Sequence, residues 1–292
     1  MYELVQVEKR SYYINCPAKI GVYRTNDTDV YLIDSGNDKE AGRKVRQIMD
    51  KNGWKLKAIL NTHSNADHIG GNRYLQKQTD CPIFANGIEA AFTRHPLLEP
   101  SFLYGGYPPG ELRHKFLMAQ GSEVRDISDT AFPREIEIIP LPGHFFDMVG
   151  FRTPDDVVFL ADCISSRETL DKYGIPFIYD VDAYLKTLDM VETMQAVMFV
   201  PAHTEASADI VELVCYNRIK VLEIADRILD FCKTAVTFEE ILQEMFNRYG
   251  LVMNFEQYVL VGSTIRSYMS WLRDTKKANV RFENNRILWE RS

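Results

Sequence analysis

The sequence predicts an α/β fold in which a large mixed domain precedes a smaller helical one. Three observations support this prediction: strands alternate with helices through the first two-thirds of the chain, helical periodicity then takes over, and a short hairpin ends the sequence. The length of 292 residues suits one large domain with an appendage, and an apolar content of 46% allows a sizeable core. We therefore expect one domain over residues 1–213 and a second over residues 214–292.

The amino-terminal part begins with strands and then alternates with helices. Short runs rich in Val, Ile and Tyr, separated by turn residues, predict strands over residues 2–8, 12–16, 20–24 and 29–34. The last of these, in DVYLIDSG, is almost continuously apolar, which is typical of a strand buried on both faces. A helix over 38–52, the strand LKAILNT, the polar loop HSNADHIGG and a helix over 71–79 follow. This order displays loop side chains at the end of a sheet.

Residues 95–122 have a different character, with clustered Gly and Pro and several aromatic side chains. A long irregular segment within a compact domain is usually a functional loop or a lid. We expect Phe102, Tyr104 and Tyr107 to belong to a substrate lid. Whether these rings wall a substrate pocket or only pack the segment down stays open at this point.

The remaining elements complete both domains. Four further strands are predicted over 123–127, 134–141, 148–153 and 156–161, and a helix over 180–196 leads into the strand AVMFVPAH. Helices over 207–233, 237–249 and 255–274 and a hairpin around residues 283–285 make up the tail, with Thr237 and Glu240 forming a capping box. Helices followed by a hairpin are similar to a winged-helix domain.

Charge argues mildly against a nucleic-acid partner. The net charge is -7, and residues 215–292 carry 12 Lys/Arg against 10 Asp/Glu while the rest carries 22 against 31. An acidic main domain repels phosphates, whereas the slightly basic tail leaves a nucleic-acid partner open. The helical tail also leaves a homodimer open.

Cysteine usage and the amino-terminal sequence suggest the compartment. The five cysteines are odd in number and scattered without a CxxC pair, which does not indicate a disulfide framework or a thiolate zinc site. The first ten residues alternate like a strand and lack the basic start and apolar stretch of a signal peptide. No apolar run is long enough to cross a membrane. We expect a cytoplasmic protein that acts without a membrane.

Six potential metal ligands share one feature: each follows the end of an apolar predicted strand. They are His63, Asp67 and His68 after KAILNT, His144 after IEIIPLPG, Asp162 after VVFLA, and His203 after VMFVPA. Side chains at the ends of successive strands can converge at one edge of a sheet, which is how an α/β scaffold builds a site. Histidine together with aspartate favours zinc, iron or manganese.

These residues resemble the metallo-β-lactamase superfamily, whose motif H-x-H-x-D-H is followed by a further His, Asp and His. The matching residues are His63, Asn65, Asp67 and His68 in THSNADHIGG, His144 in PLPGHFFDMVGF, Asp162 in FLADC, and His203 in PAH. The motif is similar to that of glyoxalase II, and the resemblance covers about residues 3–205. It implies an αββα sandwich with the site on one edge. It also implies that Asp34 in LIDSG is a buried aspartate that supports the metal loop.

The chain departs from the family at residue 65, where Asn stands in place of the second motif histidine. The resemblance implies one metal held by His63 and His144, a second held by Asp67, His68 and His203, and Asp162 bridging the two. An amide is a poorer zinc ligand than imidazole. Either Asn65 coordinates through its oxygen, which favours iron or manganese, or the first metal binds weakly and the protein works with one metal. A helix-capping or loop role for Asn65 is a third interpretation.

The resemblance implies a hydrolase of small molecules that cleaves an ester, thioester or lactam bond with one or two zinc ions. In such an enzyme the metal lowers the pKa of bound water to about 7, and metal-bound hydroxide then attacks the substrate. Asp67 is expected to ligate metal and to orient this nucleophile. A nuclease or phosphodiesterase is the first alternative, because some family members with a winged-helix-like tail cleave RNA. The second is a binding module with an impaired metal site, which the retention of six of the seven ligands disfavours.

Overall fold

The structure is a computed structural model that describes residues 2–292 and contains two sheets and a carboxyl-terminal hairpin. The first sheet has seven strands in chain order: β1 (Glu3–Gln6), β2 (Ser11–Asn15), β3 (Ile20–Arg24), β4 (Asp29–Ile33), β5 (Lys55–Leu60), β6 (Ile83–Ala85) and β7 (Arg125–Asp126). The strands pair antiparallel from β1 to β4 and parallel from β4 to β7. Because β4 and β5 are parallel, their carboxyl ends lie at the same edge.

The second sheet has four strands: β8 (Glu137–Pro140), β9 (Val149–Arg152), β10 (Val157–Ala161) and β11 (Met198–Pro201). Their order is β11-β10-β9-β8, with β10 and β11 parallel and the other pairs antiparallel. The carboxyl ends of β10 and β11 therefore also meet at one edge. Two predicted strands, over 123–127 and 134–141, are shorter than expected, because only two and four of their residues pair with a neighbour.

Residues 2–292 form ten α-helices, six of which lie close to the predicted limits, whereas those at Ala66–Ile69, Gly87–Arg94, Leu98–Tyr104 and Arg167–Tyr173 were not predicted. They are α1 (Lys39–Asn52), α2 (Ala66–Ile69), α3 (Asn72–Thr79), α4 (Gly87–Arg94), α5 (Leu98–Tyr104), α6 (Arg167–Tyr173), α7 (Val181–Thr193), α8 (Val211–Phe231), α9 (Phe238–Tyr249) and α10 (Phe255–Asp274). The side chain of Asp38 caps α1, which ends at Gly53 in a left-handed conformation. The predicted capping box of Thr237 and Glu240 opens α9. Among the helices of residues 2–292, none combines the length and apolarity that a membrane crossing requires.

Three apolar clusters arrange these elements in layers. Side chains of the first sheet, such as Leu60 and Phe84, pack against Phe151 and Phe159 of the second sheet. The outer face of the first sheet packs against α1 and α3, and the outer face of the second packs against α7 and α8. The sequence of layers is helix, sheet, sheet, helix, which confirms the predicted αββα sandwich.

The carboxyl-terminal region has the predicted order of three helices followed by a hairpin, formed by β12 (Ala278–Glu283) and β13 (Arg286–Arg291). Its helices share one continuous apolar cluster with the second sheet and α7. The expected boundary between residues 213 and 214 falls within the first turn of α8. The division into two domains and the winged-helix likeness therefore stay predictions.

The segment 95–122 is more ordered than the sequence indicated. It contains α5 and a short 3-10 turn at Gly110–Leu112. The prediction of irregular structure was wrong for α5. Pro100 lies in the first turn of this helix, where proline is tolerated. Leu103 packs against Val259 of α10 within a small apolar cluster. The segment is thereby anchored to the carboxyl-terminal region.

The predicted metal loop ends in two glycines, Gly70 and Gly71, at a point where two backbone segments lie very close together. A Cβ at Gly71 would lie 2.3 Å from the carbonyl oxygen of Ser35, and a Cβ at Gly70 would lie 2.3 Å from the carbonyl carbon of Asn37. Only glycine permits so close an approach of two backbone segments. The pair therefore lets the loop after β5 press against the loop after β4.

Candidate metal centre

The structure brings all six predicted imidazole and carboxylate ligands to one edge of the sandwich. The ligand atoms of His63, His144 and Asp162 lie within 4.8 Å of one another. Those of Asp67, His68 and His203 form a second group with the same spacing. We call these the first and the second cluster. Their members follow the ends of β5, β8, β10 and β11, which is why strand topology alone can assemble them.

Asp162 belongs to the first cluster and also lies beside the second. Its Oδ1 is 3.1 Å from His68 Nε2, and its Oδ2 is 3.2 Å from His203 Nε2 and 3.7 Å from His144 Nε2. Burial opposes ionisation, but the imidazoles of His203 and His68 hold the pKa of Asp162 well below its ordinary value. The negative charge of this carboxylate therefore lies close enough to the histidines of both clusters to stabilise a positive charge in either one.

Asp34 determines the orientation of two histidines. This buried residue has a left-handed φ of 63° and accepts hydrogen bonds from the backbone N–H and the hydroxyl of Thr62, at 2.8 and 2.7 Å. His68 Nδ1 donates to Asp34 Oδ2 at 2.8 Å. Because the Thr62 hydroxyl gives its only proton to Asp34, it accepts from His63 Nδ1 at 3.0 Å. Both imidazoles therefore carry hydrogen on Nδ1 and direct Nε2 into the site.

The other two histidines are held by backbone carbonyls. His144 Nδ1 donates to the carbonyl of Phe177 at 3.1 Å, and His203 Nδ1 donates to the carbonyl of Pro17 at 2.9 Å. A carbonyl can only accept, so the hydrogen is again on Nδ1. An outer partner at Nδ1 is the usual arrangement of a metal-ligating histidine, because it fixes the tautomer and the ring plane.

Three buried atoms in this site make no hydrogen bond of good geometry with residues 2–292, namely His63 Nε2, His68 Nε2 and Asp162 Oδ1, although the last two lie 3.1 Å apart. Buried polar atoms are almost always satisfied in native proteins, so such atoms indicate a missing partner. All three are atoms that bind divalent transition metals. The residues present therefore fit a metal centre.

The electrostatics differ between the histidines. Burial lowers the pKa of His63 and His144. Burial also acts to lower the pKa of His68, but the three carboxylates around it outweigh that effect and raise the pKa well above its ordinary value. Asp162 is the main cause that raises the pKa of His203 to about 10. The metal-free protein therefore carries protons on His68 and His203 at neutral pH.

Asn65 does not cap α2, although it occupies the N-cap position. Its side chain makes no capping hydrogen bond with the described residues. The amide Nδ2 donates to Glu99 Oε1 at 2.8 Å, and Oδ1 lies 3.2 Å from His144 Nε2. Of the three interpretations of this residue, the cap is therefore wrong, and the amide oxygen lies beside the first cluster.

Sequence reasoning missed two buried carboxyl groups, Glu89 in α4 and Glu99 in α5. Glu89 accepts hydrogen bonds from the backbone N–H of Ser64 at 3.0 Å, from its hydroxyl at 2.5 Å and from the N–H of Asp147 at 2.9 Å. Burial raises the pKa of Glu89 to about 7 and that of Glu99 well above its ordinary value. An acid inside an otherwise apolar run, as in GIEAAF or LLEPSF, is the sequence signal that could have identified them.

The three predicted lid residues have different surroundings. The ring of Phe102 packs against Phe146 and Tyr179, with centroids 5.0 and 5.6 Å away. Tyr104 is 43% exposed and Tyr107 is 71% exposed. Phe102 and Tyr104 line a cavity of about 880 Å³ that α10 closes on the other side. The lid role of all three residues stays a prediction.

Comparison with known proteins identifies similar sequences. A family model described as the Metallo-beta-lactamase superfamily matches residues 14–203. The hydroxyacylglutathione hydrolase of Methylococcus capsulatus is 30% identical over 128 residues, which are 44% of this chain and 41% of that protein. The Bacillus subtilis protein named "Probable metallo-hydrolase YybB" is 32% identical over 199 residues, which are 66% of this chain and 84% of that protein. The chain thus spans less than half of the first of these relatives.

A solved structure extends the likeness to nearly the whole chain. The beta-lactamase domain protein from Burkholderia ambifaria superposes with a TM-score of 0.74 over 99% of this chain and 94% of that chain. The two sequences are 15% identical, so this likeness concerns the fold. It includes the carboxyl-terminal helices and hairpin, because nearly all of the chain is covered.

We predict that Asp34→Asn weakens the metal loop. Asparagine tolerates the left-handed φ, but it loses the charge and one acceptor that Thr62 and His68 use. The free energy of unfolding of the metal-free protein should fall by about 1–3 kcal/mol. Zinc affinity should fall by about 10- to 100-fold. Denaturant unfolding and chelator competition measure these effects. Asp80→Asn, at an exposed aspartate with a left-handed φ of 55°, is the matched control, and equal effects of both substitutions would refute this role of Asp34.

We also predict that metal binding releases protons. A ligating imidazole must be neutral, and His68 and His203 are protonated in the metal-free protein at pH 7. Loading both clusters should therefore release about two protons, and metal affinity should rise as the pH increases from 6 to 8. Calorimetric titration in buffers of different ionisation enthalpy counts these protons. His203→Ala disables the second cluster, so His68 binds no metal either and the count should fall to near zero. A count near zero in the unaltered protein would contradict the assigned protonation states.

Proposed function

This chain belongs to the metallo-beta-lactamase superfamily, and on that premise we propose that it is a metal-dependent hydrolase of small molecules. The preferred substrate class is a thioester, with esters and lactams as related acyl compounds. The single observation that carries this proposal is the common orientation of the four histidines. Each has its Nδ1 engaged by an outer partner, which leaves Nε2 for the site.

The two clusters define which residues would hold metal. His63, His144, Asp162 and the amide oxygen of Asn65 form the first set of donors. Asp67, His68, His203 and again Asp162 form the second set. Imidazole and carboxylate ligands favour zinc, and the amide oxygen leaves iron or manganese as alternatives for the first set. A bound divalent cation supplies Lewis acidity, which polarises a substrate carbonyl and makes a water molecule more acidic.

Asp67 is the residue we assign to catalysis. Its Oδ2 lies 3.3 Å from His203 Nε2, and its side chain is 42% exposed, whereas His63 and His68 are fully buried. Burial acts to raise its pKa, but the neighbouring imidazoles, His68 first, hold the pKa of Asp67 below its ordinary value. An ionised, accessible carboxylate can accept a hydrogen bond from the attacking water and orient it toward the substrate.

Two features support an acyl substrate over a phosphodiester. One relative is named a hydroxyacylglutathione hydrolase, and acylglutathiones are thioesters. The partly exposed ring of Phe177 lies beside the first cluster, with its centroid 5.6 Å from that of His144. Aromatic surfaces suit an apolar acyl group, and the net charge of -7 disfavours a polyanionic substrate.

We predict that the zinc-loaded protein hydrolyses a small acyl thioester and that Asp67→Asn lowers kcat by about 10²- to 10⁴-fold. Chelation should abolish the activity, and added zinc should restore it. The assay follows release of the free thiol, with a chromogenic β-lactam and a phosphodiester as parallel substrates. Asp80→Asn is the control for loss of an exposed carboxylate.

Two results would refute this function. A clear preference for the phosphodiester would support a nuclease or phosphodiesterase. A folded protein that binds no transition metal and cleaves none of the three substrates would support a binding module.

A further inference from the structure

We propose that Glu99 is a positioning residue that holds the Asn65 amide with its oxygen toward the first cluster, so that Asn65 and Glu99 together replace the missing histidine. This inference rests on the proposed metal-dependent function. It assigns a role to a buried carboxyl group in α5 that the reaction itself does not use. It also specifies how the first cluster obtains a fourth donor.

The first step is the orientation of the amide. Glu99 is 5% exposed, and its Oε1 accepts the hydrogen bond from Asn65 Nδ2 at 2.8 Å. Amide nitrogen and oxygen lie on opposite sides of the same group, so this bond turns Oδ1 away from Glu99. The described residues offer the Asn65 side chain no capping bond that would compete with this orientation.

The second step is the contact between Asn65 and His144. Because His144 Nδ1 donates to the Phe177 carbonyl, Nε2 of the neutral imidazole, the form that ligates a metal, carries a lone pair. Asn65 Oδ1 lies 3.2 Å from that nitrogen. Two acceptors at this distance repel each other unless a cation binds both.

The third step concerns the distance between Asn65 Oδ1 and His144 Nε2. Two ligands about 2 Å from one tetrahedral zinc ion lie about 3.3 Å from each other. The separation of Asn65 Oδ1 and His144 Nε2 is close to that value. His63 and Asp162 are the other members of the first cluster, so an ion held by Asn65 Oδ1 and His144 Nε2 would have four donors with them.

The fourth step concerns the strength of the ligand. A neutral amide oxygen is a weak donor for a transition metal. A hydrogen bond from the amide N–H to an acceptor polarises the amide and increases the electron density on its oxygen. Outer partners of this kind raise the basicity of metal ligands in general. Glu99 therefore compensates in part for the loss of an imidazole at residue 65.

Zinc titration of single-cluster variants tests this role. The His203→Ala background disables the second cluster, and the His63→Ala background disables the first. In the His203→Ala background, Glu99→Leu should lower zinc affinity by about 10- to 100-fold, because the acceptor is lost. In the His63→Ala background, the same substitution should change affinity by less than about twofold, because the second cluster does not include Asn65.

Two further variants exclude a general effect on folding. Glu99→Gln keeps an oxygen that can accept from Asn65 Nδ2, so it should retain zinc affinity within about threefold in the His203→Ala background. Asn65→Ala should lose as much affinity as Glu99→Leu, and the double variant should lose no more, because both changes remove one interaction. Circular dichroism of the metal-free variants checks that each is folded. Glu99→Ala replaces Glu99→Leu if the latter does not fold.

The outcomes separate this inference from the proposed function. If the unaltered protein binds neither zinc nor iron nor manganese, the proposed function itself is wrong. If the unaltered protein binds two zinc ions and Glu99→Leu leaves the first cluster unaffected, the role of Glu99 is wrong and the hydrolase proposal stands. The same result is expected if the Asn65 amide is rotated by 180°, because its NH₂ group and not its oxygen would then face His144. Equal losses at both clusters, or equal losses for Glu99→Gln and Glu99→Leu, would also overturn the proposal.

Discussion

The hydrogen bonds of the buried Asp34 carboxylate are the interaction on which the site depends. Asp34 follows β4, and it binds Thr62 after β5 and His68 in α2, so one side chain connects three segments. Through the Thr62 hydroxyl it also determines which nitrogen of His63 carries hydrogen. The strained left-handed backbone of Asp34 is retained because these bonds compensate for it. Loss of this carboxylate would leave three buried donors without an acceptor.

As a result, the side chains of the site are oriented so that they can bind a cation. Four imidazoles present Nε2 to the same small volume, and Asp162 lies between them. In the metal-free protein this arrangement has a cost in free energy, because lone pairs face each other and buried atoms lack partners. Protons on His68 and His203 offset part of that cost. A metal ion would take the place of those protons, so the protonation of the empty site and its affinity for metal are two aspects of one electrostatic balance.

Much of the fold and most of the site could be predicted from the sequence, for a physical reason. Apolar strands that end in His or Asp place those residues at a sheet edge, and the structure brings His63, Asp67, His68 and their counterparts together there. What the sequence could not indicate depends on side-chain packing between distant segments. Glu99 lies on α5, which the pattern of Gly and Pro concealed, and its contact with Asn65 spans 34 residues. The orientation of an amide likewise follows from its neighbours and not from its position in the chain.

Anomalous diffraction at the zinc absorption edge, from crystals grown with zinc, tests the central claim most directly. Two peaks are expected, one bounded by Asp67, His68 and His203, the other by His63, His144 and the oxygen of Asn65. Asp162 should contact both. A single peak at the second cluster, with the Asn65 oxygen turned away from the site, would contradict the account of the first cluster. The absence of any peak among these residues would contradict the metal-dependent function as a whole.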